Sequence, residues 1–173
     1  TATDGKHSRS EMAEAAKARG YDYLAVTDHS KRVTMAKGLD AKRLAKQIDE
    51  IDELNDELKG IRILKGSEVD ILEKGNLDLT DDILERLDIV VCSIHSHFGL
   101  SKTKQTERII RAMDNDRLQI LGHPTGRLIG EREPYDLDIE MVMEAAKERG
   151  CVLEINSHPD RLDLNDLHCR TAK

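Results

Sequence analysis

The stretch Ile89–His97 reads IVVCSIHSH, a short apolar run that ends at a histidine, with a second histidine two residues later. Because polar and apolar residues do not alternate between Ile89 and Cys92, the run predicts a strand that is buried on both faces. One histidine at the end of one strand is more often structural than functional. The same arrangement recurs along the chain, however, and its recurrence indicates both the fold class and the candidate site.

On both sides of this stretch, helix and strand patterns alternate. Ser8 and Glu11 have the spacing of a capping box and open a helix that Gly20 ends. Further helices are predicted at Asp40–Gly60, at about 81–87 and about 103–113, and from Asp138 and Asn165 onward. The strand patterns read YLAV (23–26), IRILKGSEVDI (61–71), DIVVCSIH (88–95), LQILGHP (118–124) and CVLEIN (151–156). Buried strands separated by helices predict an α/β fold with a parallel sheet and right-handed crossovers.

Side chains that can bind metal follow the predicted strands at nearly the same offset. Asp28 and His29 follow the first strand, and the later strands are followed in turn by Glu68, His95, His123 and Asn156. The carboxyl ends of parallel strands lie on one face of an α/β fold, so we expect these side chains to converge. An open doubly wound sheet and a closed or distorted barrel both fit the strand order. Convergence from several successive strands favours the barrel.

The types of these side chains indicate the chemistry. Imidazole and carboxylate ligands suit Zn²⁺, Mn²⁺ or Fe, and the sequence has no CxxC pair that would form a thiolate zinc site. A carboxylate such as Glu68 can bridge two ions, and such a site holds the attacking and leaving oxygens of a phosphoryl transfer. The residues therefore predict metal-assisted hydrolysis of a phosphoester.

Composition narrows the class of protein further. The 173 residues contain no run of 18 apolar residues, so we expect one soluble domain and no membrane span. The formal net charge of −7 argues against binding nucleic acid through a broad positive field, although metal ions would supply positive charge locally. No secretory signal pattern opens the chain, and its three widely spaced cysteines favour reduced thiols and a cytoplasmic setting.

Six motifs resemble the PHP (polymerase and histidinol phosphatase) domain, most closely the form at the C-terminal end of bacterial family X DNA polymerases. They read TATDGKHS (1–8), YDYLAVTDHS (21–30), ILKGSEVDI (63–71), VVCSIHSHF (90–98), ILGHPTGRLIG (120–130) and LEINSHPDRLDLND (153–166). The resemblance covers essentially the whole chain. It implies that residues 1–173 form a PHP phosphoesterase domain with a distorted (βα)7 TIM-like barrel, and that Mn²⁺ or Zn²⁺, two to three ions in the complete domain, bind at the strand ends.

The resemblance also implies roles for particular residues. His29, Glu68, His95 and His123 are similar to ligands of the family, with Glu68 as the bridge between ions, and Asp4 matches the ligand of the first motif. Glu68, His95 and His123 would be the catalytic residues, around a metal-activated hydroxide that attacks phosphorus.

Two features of the family are absent from this sequence. Members have an HxH pair a few residues before TDG and a DxH pair on a strand beyond the last one seen here, whereas the chain runs from Thr1 to Lys173 without either. We therefore expect a partial domain that is incomplete at both ends, with weak or partial metal binding and little activity of its own. An N-terminal polymerase domain is expected in the parent chain.

Basic residues near the strand ends are the candidates for substrate binding. Lys31 and Arg32 follow His29, Arg127 follows GHPTG, and Arg161 lies in PDRLD, so each could pair with phosphate oxygens. His97 is a further candidate for substrate contact. On an extended segment, His97 and His95 would face the same side.

Three functions remain open from the sequence. The resemblance favours removal of 3′ nucleotides or 3′-blocking groups from DNA, a 3′-5′ exonuclease type of activity, in support of an attached polymerase, with DNA 3′ ends as the substrate. A small-molecule phosphatase of the histidinol-phosphate type would share the metal ligands. A catalytically silent scaffold is the third alternative, and the retained ligand residues argue against it.

Overall fold

The computed structural model describes residues 1–173, and helices and strands alternate along them as predicted. The strands are β1 Tyr23–His29, β2 Arg62–Asp70, β3 Ile89–Ser93, β4 Ile120–Leu121 and β5 Val152–Leu153. The helices are α1 Arg9–Ala18, α2 Ala41–Glu57, α3 Asp81–Leu84, α4 Lys102–Met113, α5 Ile139–Arg149 and α6 Asp166–Ala172, with a 3-10 turn at Thr34–Ala36. None of the helices is long and apolar enough to span a membrane.

The strands form one parallel sheet in chain order, β1-β2-β3-β4-β5. In the pairing of β1 with β2, Tyr23 lies opposite Arg62 and the register continues to His29 opposite Glu68. The pairing of β3 with β4 is short and sets Cys92 opposite Leu121. The predicted α/β class is confirmed, and β1 and β5 are edges of the sheet, as expected for an incomplete TIM-like barrel.

Polar side chains fix the beginnings of the helices at the residues that the sequence indicated. Ser8 and Glu11 form the reciprocal capping box of α1. Asp40, Asp138 and Asn165 each accept a hydrogen bond from a backbone N–H in the first turn of α2, α5 and α6. These caps satisfy N–H groups that have no partner within the helix.

Contacts divide the chain into two compact units, each with its own buried side chains. The first comprises Thr1–Val69 and Asp78–Val90, and α1 and α2 cover its strands β1 and β2. Its apolar cluster consists of Ala13, Ala16, Val26, Ile51, Ile61 and Ile63. The alanines of α1 allow that helix to approach the strands closely.

The second unit comprises Asp70–Leu77 and Val91–Lys173. Helices α4 and α5 pack against each other in this unit, and their buried faces carry Ile109, Ala112, Met113, Val142, Ala145 and Ala146. Cys92 in the middle of β3 is fully buried, which agrees with a packing role for this thiol.

We predict that Ile63→Ala destabilises the protein by about 2–5 kcal/mol, because the substitution removes buried methyl groups and leaves a cavity in a cluster that cannot fully collapse. Ile63 is completely buried on β2. Chemical denaturation measures the change in the free energy of unfolding. The same substitution at Ile155, which is 63% exposed, is the matched control and should cost less than about 0.5 kcal/mol. Equal losses at the two positions would contradict the assignment of Ile63 to the core.

Candidate metal centre

The pairing of β1 with β2 brings His29 and Glu68 together. These two residues lie opposite each other at the carboxyl end of the parallel pair, and His29 Nδ1 is 3.5 Å from Glu68 Oε2. On the other side of the ring, His29 Nε2 is 3.6 Å from Asp4 Oδ2. The imidazole therefore lies between two carboxylates. Both His29 and Glu68 are mostly shielded from solvent, whereas Asp4 is exposed.

Asp28 holds the segment that carries Asp4. Its buried carboxylate accepts hydrogen bonds from Ala2 N at 3.1 Å and Thr3 N at 3.0 Å, and from the hydroxyls of Thr1 and Thr3. Burial alone would raise the pKa of Asp28, but these hydrogen bonds outweigh it and lower the pKa below its usual value. The sequence marked Asp28 only as a residue at a strand end. In the structure, its hydrogen bonds fix residues 1–3 beside His29.

Asp70 performs a similar task for His95. The Asp70 side chain is completely buried, and its Oδ1 accepts the backbone N–H of His95 at 3.0 Å and lies 3.1 Å from the ring Nδ1. An ionised carboxylate at this distance favours the tautomer with the proton on Nδ1, which leaves Nε2 as the metal-binding atom. The sequence analysis did not single out Asp70. Its position two residues after Glu68 was the available signal.

Glu68 and Asp70 lie on the same strand and, being two residues apart, on the same face of it. Glu68 pairs with His29, and Asp70 holds His95. Metal bonds of about 2.0–2.2 Å place two ligand atoms of one ion up to about 4.4 Å apart. His29 Nδ1 and Glu68 Oε2, at 3.5 Å, lie within that distance.

His123 lies beside His95, with their rings in an edge-to-face arrangement and their centroids 5.2 Å apart. It is almost completely buried, and its backbone has a φ of 26°, a conformation that non-glycine residues seldom adopt. Glu154 supports this conformation, because its Oε2 accepts the N–H of His123 at 2.5 Å. Strained backbone that the surrounding structure holds in place is common at functional sites.

The loop after His123 is fixed by a second buried carboxylate. Asp163 accepts the N–H groups of Thr125 at 3.0 Å and Gly126 at 2.9 Å. The sequence analysis did not single out Glu154 or Asp163, since neither stands at a distinctive spacing from the histidines. Their role is visible only from contacts between residues more than 30 positions apart.

The candidate substrate-binding arginines have structural contacts. Arg127 donates from Nε to the carbonyl of Arg161 at 2.7 Å and from Nη2 to the carbonyl of Leu162. Arg161 donates in return to the carbonyl of Arg127 at 3.4 Å. These hydrogen bonds tie two loops together. Lys31 and Arg32 are exposed at the surface after β1.

The segment from His95 to His97 is not extended, so the two side chains do not have the alternation of a strand. Strand β3 ends at Ser93, and His97 has a φ of 57°, in the left-handed region. The Nδ1 atom of His97 is 4.0 Å from Glu73, and the side chain is 39% exposed. A turn in the backbone therefore separates the two histidines.

Arg132 is a basic residue that the sequence analysis missed. Its guanidinium carbon lies 4.4 Å from the centre of the Phe98 ring, and Phe98 stacks on Tyr135 with a centroid distance of 6.1 Å. Partial burial, and then the charge of Arg161, lower the pKa of Arg132. Tyr135 donates to Pro124 O at 2.7 Å, and its burial raises the pKa of its hydroxyl.

Histidine and carboxylate side chains at the carboxyl ends of parallel strands define an α/β domain with a metal-capable centre. Comparison with known protein families identifies the family to which this domain belongs. The PHP domain model matches residues 1–158, and the chain belongs to that family. PHP domains are metal-dependent and have TIM-like barrels, and the imidazole of His29 beside the carboxylate of Glu68 is compatible with metal binding.

Two kinds of relative are similar to this chain. The DNA polymerase/3′-5′ exonuclease PolX of Bacillus subtilis is 47% identical over 172 residues, which cover 99% of this chain and 30% of that protein. Probable phosphatases of Thermoanaerobacter sp. (strain X514) and Acetivibrio thermocellus are 37% and 36% identical over 151 residues. Those alignments cover 85% and 86% of this chain, and 57% and 58% of the two phosphatases. The chain thus spans less than a third of the polymerase and somewhat more than half of each phosphatase. These relatives support a phosphoesterase class of hydrolase.

We predict that Asp70→Asn weakens Mn²⁺ binding by about 10–100-fold while the protein stays folded. The amide keeps the size of the side chain but removes the negative charge that holds the proton on His95 Nδ1. Titration of Mn²⁺ followed by electron paramagnetic resonance measures the affinity, and circular dichroism checks the fold. Asp116→Asn is the control, because Asp116 has an 89% exposed side chain. Equal affinities in the two variants would contradict the orienting role of Asp70.

Proposed function

We propose that residues 1–173 form a partial PHP phosphoesterase domain that hydrolyses phosphoesters with bound Mn²⁺ or Zn²⁺, two to three ions in the complete domain. The observation that carries this proposal is the pairing of His29 with Glu68 at the carboxyl ends of β1 and β2, where His29 Nδ1 lies 3.5 Å from Glu68 Oε2. If these side chains had a purely structural role, hydrogen bonds between them would be sufficient. Such a role would not explain why imidazole and carboxylate groups meet at the ends of successive parallel strands, where active sites of such folds lie.

Asp4, His29, Glu68, His95 and His123 are the residues proposed to hold the ions. Their imidazole nitrogens and carboxylate oxygens are the donors that Zn²⁺ and Mn²⁺ take. A divalent ion bound here would lower the pKa of a water molecule and stabilise the charge that develops on the phosphoryl oxygens. Glu68 would be the carboxylate shared between ions, and we assign Glu68, His95 and His123 to catalysis.

The protein's own contribution is the fixed orientation of these ligands. Asp70 holds the His95 ring, and Glu154 holds the backbone of His123, so neither side chain has to be ordered when substrate binds. Lys31, Arg32 and His97 are the proposed contacts to substrate phosphate oxygens. Arg127 and Arg161 are proposed to act through the loops that they tie together, because their guanidinium groups donate hydrogen bonds to backbone carbonyls.

We propose DNA 3′ ends as the substrate and a 3′-5′ exonuclease type of reaction. The support is the 47% identity to a protein named as a DNA polymerase and 3′-5′ exonuclease. That protein is more than three times as long as the aligned region, which fits a parent chain with an N-terminal polymerase domain. A role in DNA repair and a cytoplasmic location follow as parts of the same proposal, and the three free cysteines are compatible with that location.

A small-molecule phosphatase is the second candidate function. Its support is the set of relatives named probable phosphatases, because the aligned region covers 57% and 58% of two of them. Both functions need the same ions and the same in-line attack on phosphorus. They differ in what surrounds the scissile phosphate, so a comparison of substrates separates them.

We predict that Glu68→Ala and His123→Ala in the full-length protein each lower phosphoester hydrolysis by at least about 100-fold, because each removes a proposed metal ligand. The assay compares a 3′-recessed DNA duplex with histidinol phosphate at saturating Mn²⁺. Faster kcat/KM on the duplex would support the exonuclease, and faster kcat/KM on histidinol phosphate would support the phosphatase.

The controls are Glu53→Ala and His7→Ala, which change exposed residues of the same types. Both should retain the activity of the unmodified protein. Full activity in both Glu68→Ala and His123→Ala would overturn the enzymatic assignment and leave the scaffold alternative.

A further inference from the structure

Arg108 is a buried arginine outside the candidate ligand set. It lies on α4 and is 2% exposed, and its guanidinium contacts the backbone of two segments far from it in sequence. Nε donates to Leu72 O at 2.9 Å, and Nη2 donates to Ile71 O. Nη1 donates to Ser96 O at 2.9 Å. One side chain thus fixes three carbonyl oxygens.

These carbonyls stand immediately beyond the Asp70–His95 pair. Ile71 follows Asp70 in the chain, and Ser96 follows His95. The hydrogen bond between Asp70 and His95 requires both segments to keep their positions within a few tenths of an ångström. A guanidinium is a rigid planar fork with five N–H donors, so it sets the distance and angle between the two segments.

We propose that Arg108 is a positioning residue for the candidate metal centre, acting on His95 through the segments that it joins; the link to metal binding rests on the proposed function. Burying a positive charge is costly, and an apolar side chain of similar volume could fill the same space without that cost. The hydrogen bonds to the carbonyls beside Asp70 and His95 explain why a guanidinium occupies this position. Loss of those bonds would loosen the Asp70–His95 contact and release His95 Nδ1.

The test uses Arg108→Met, which removes the three hydrogen bonds to carbonyls and a longer one of 3.4 Å to Gln105 Oε1, and Arg108→Lys, which keeps the charge and can satisfy only part of them. Arg111→Met is the matched control on the same helix. Arg111 is exposed. Its guanidinium donates to Lys74 O at 3.1 Å, and not to the carbonyls of Ile71 and Ser96, which follow Asp70 and His95. All variants are made in the full-length protein, and circular dichroism and thermal melting establish that each one is folded.

Two measurements then separate positioning from mere stabilisation. Histidine ¹⁵N spectra of the metal-free protein at alkaline pH report the tautomer of His95, with the signal assigned by the loss of its peak in His95→Gln. Mn²⁺ titration by electron paramagnetic resonance reports the affinity. A purely structural role of Arg108 would lower the melting temperature and leave both measurements unchanged in a protein that is still folded.

We expect the unmodified protein and Arg111→Met to show only the Nδ1–H tautomer of His95. In Arg108→Met both tautomers should appear and the Mn²⁺ affinity should fall about tenfold or more, with Arg108→Lys between the two. A folded Arg108→Met with a single tautomer and unchanged affinity would overturn the proposal. If Arg108→Met does not fold, Arg108→Lys decides by the same criteria. Should the unmodified protein bind no Mn²⁺, the proposed function fails, and the tautomer comparison still decides the role of Arg108.

Discussion

A buried carboxylate at the end of β2 is the constraint on which the candidate metal centre depends. Burying an ionised carboxylate costs several kcal/mol unless hydrogen bonds compensate. Asp70 obtains such bonds from the backbone and from the ring of His95, so one oxygen atom fixes both the main chain and the imidazole. Because β3 ends at Ser93, the position of His95 is determined by the strand that carries Glu68 rather than by its own strand.

Carboxylates that accept hydrogen bonds from the backbone also fix the other loops with candidate ligands. Backbone N–H groups outside helices and strands have no partners in regular secondary structure and must find others. Carboxylates from elsewhere in the chain accept them: Asp28 those of residues 2 and 3, Glu154 that of His123, and Asp163 those of residues 125 and 126. Irregular segments thereby become rigid enough to hold ligand side chains without regular secondary structure. Rigid ligands bind an ion without first being ordered.

Local patterns were sufficient to predict the strands, the helix caps and the residues at the strand ends. The supporting residues could not be predicted in this way, because their roles depend on contacts between distant segments. The chain has 34 acidic residues, and no spacing distinguishes Glu154 or Asp163 from those on solvated helix faces. Arg127 shows that a local pattern can also suggest a contact that differs from the one in the structure. Its place after GHPTG suggested a phosphate contact, whereas its guanidinium binds carbonyls.

The charge of the protein bears on how an anionic substrate could be attracted to the centre. With a net charge of −7, and with His29 held between Asp4 and Glu68, the metal-free protein repels an anionic substrate. Attraction for a phosphate must therefore come from bound ions, and ions act on the oxygens of one phosphoryl group within a few ångströms. The centre itself is then indifferent to what is attached to that phosphate.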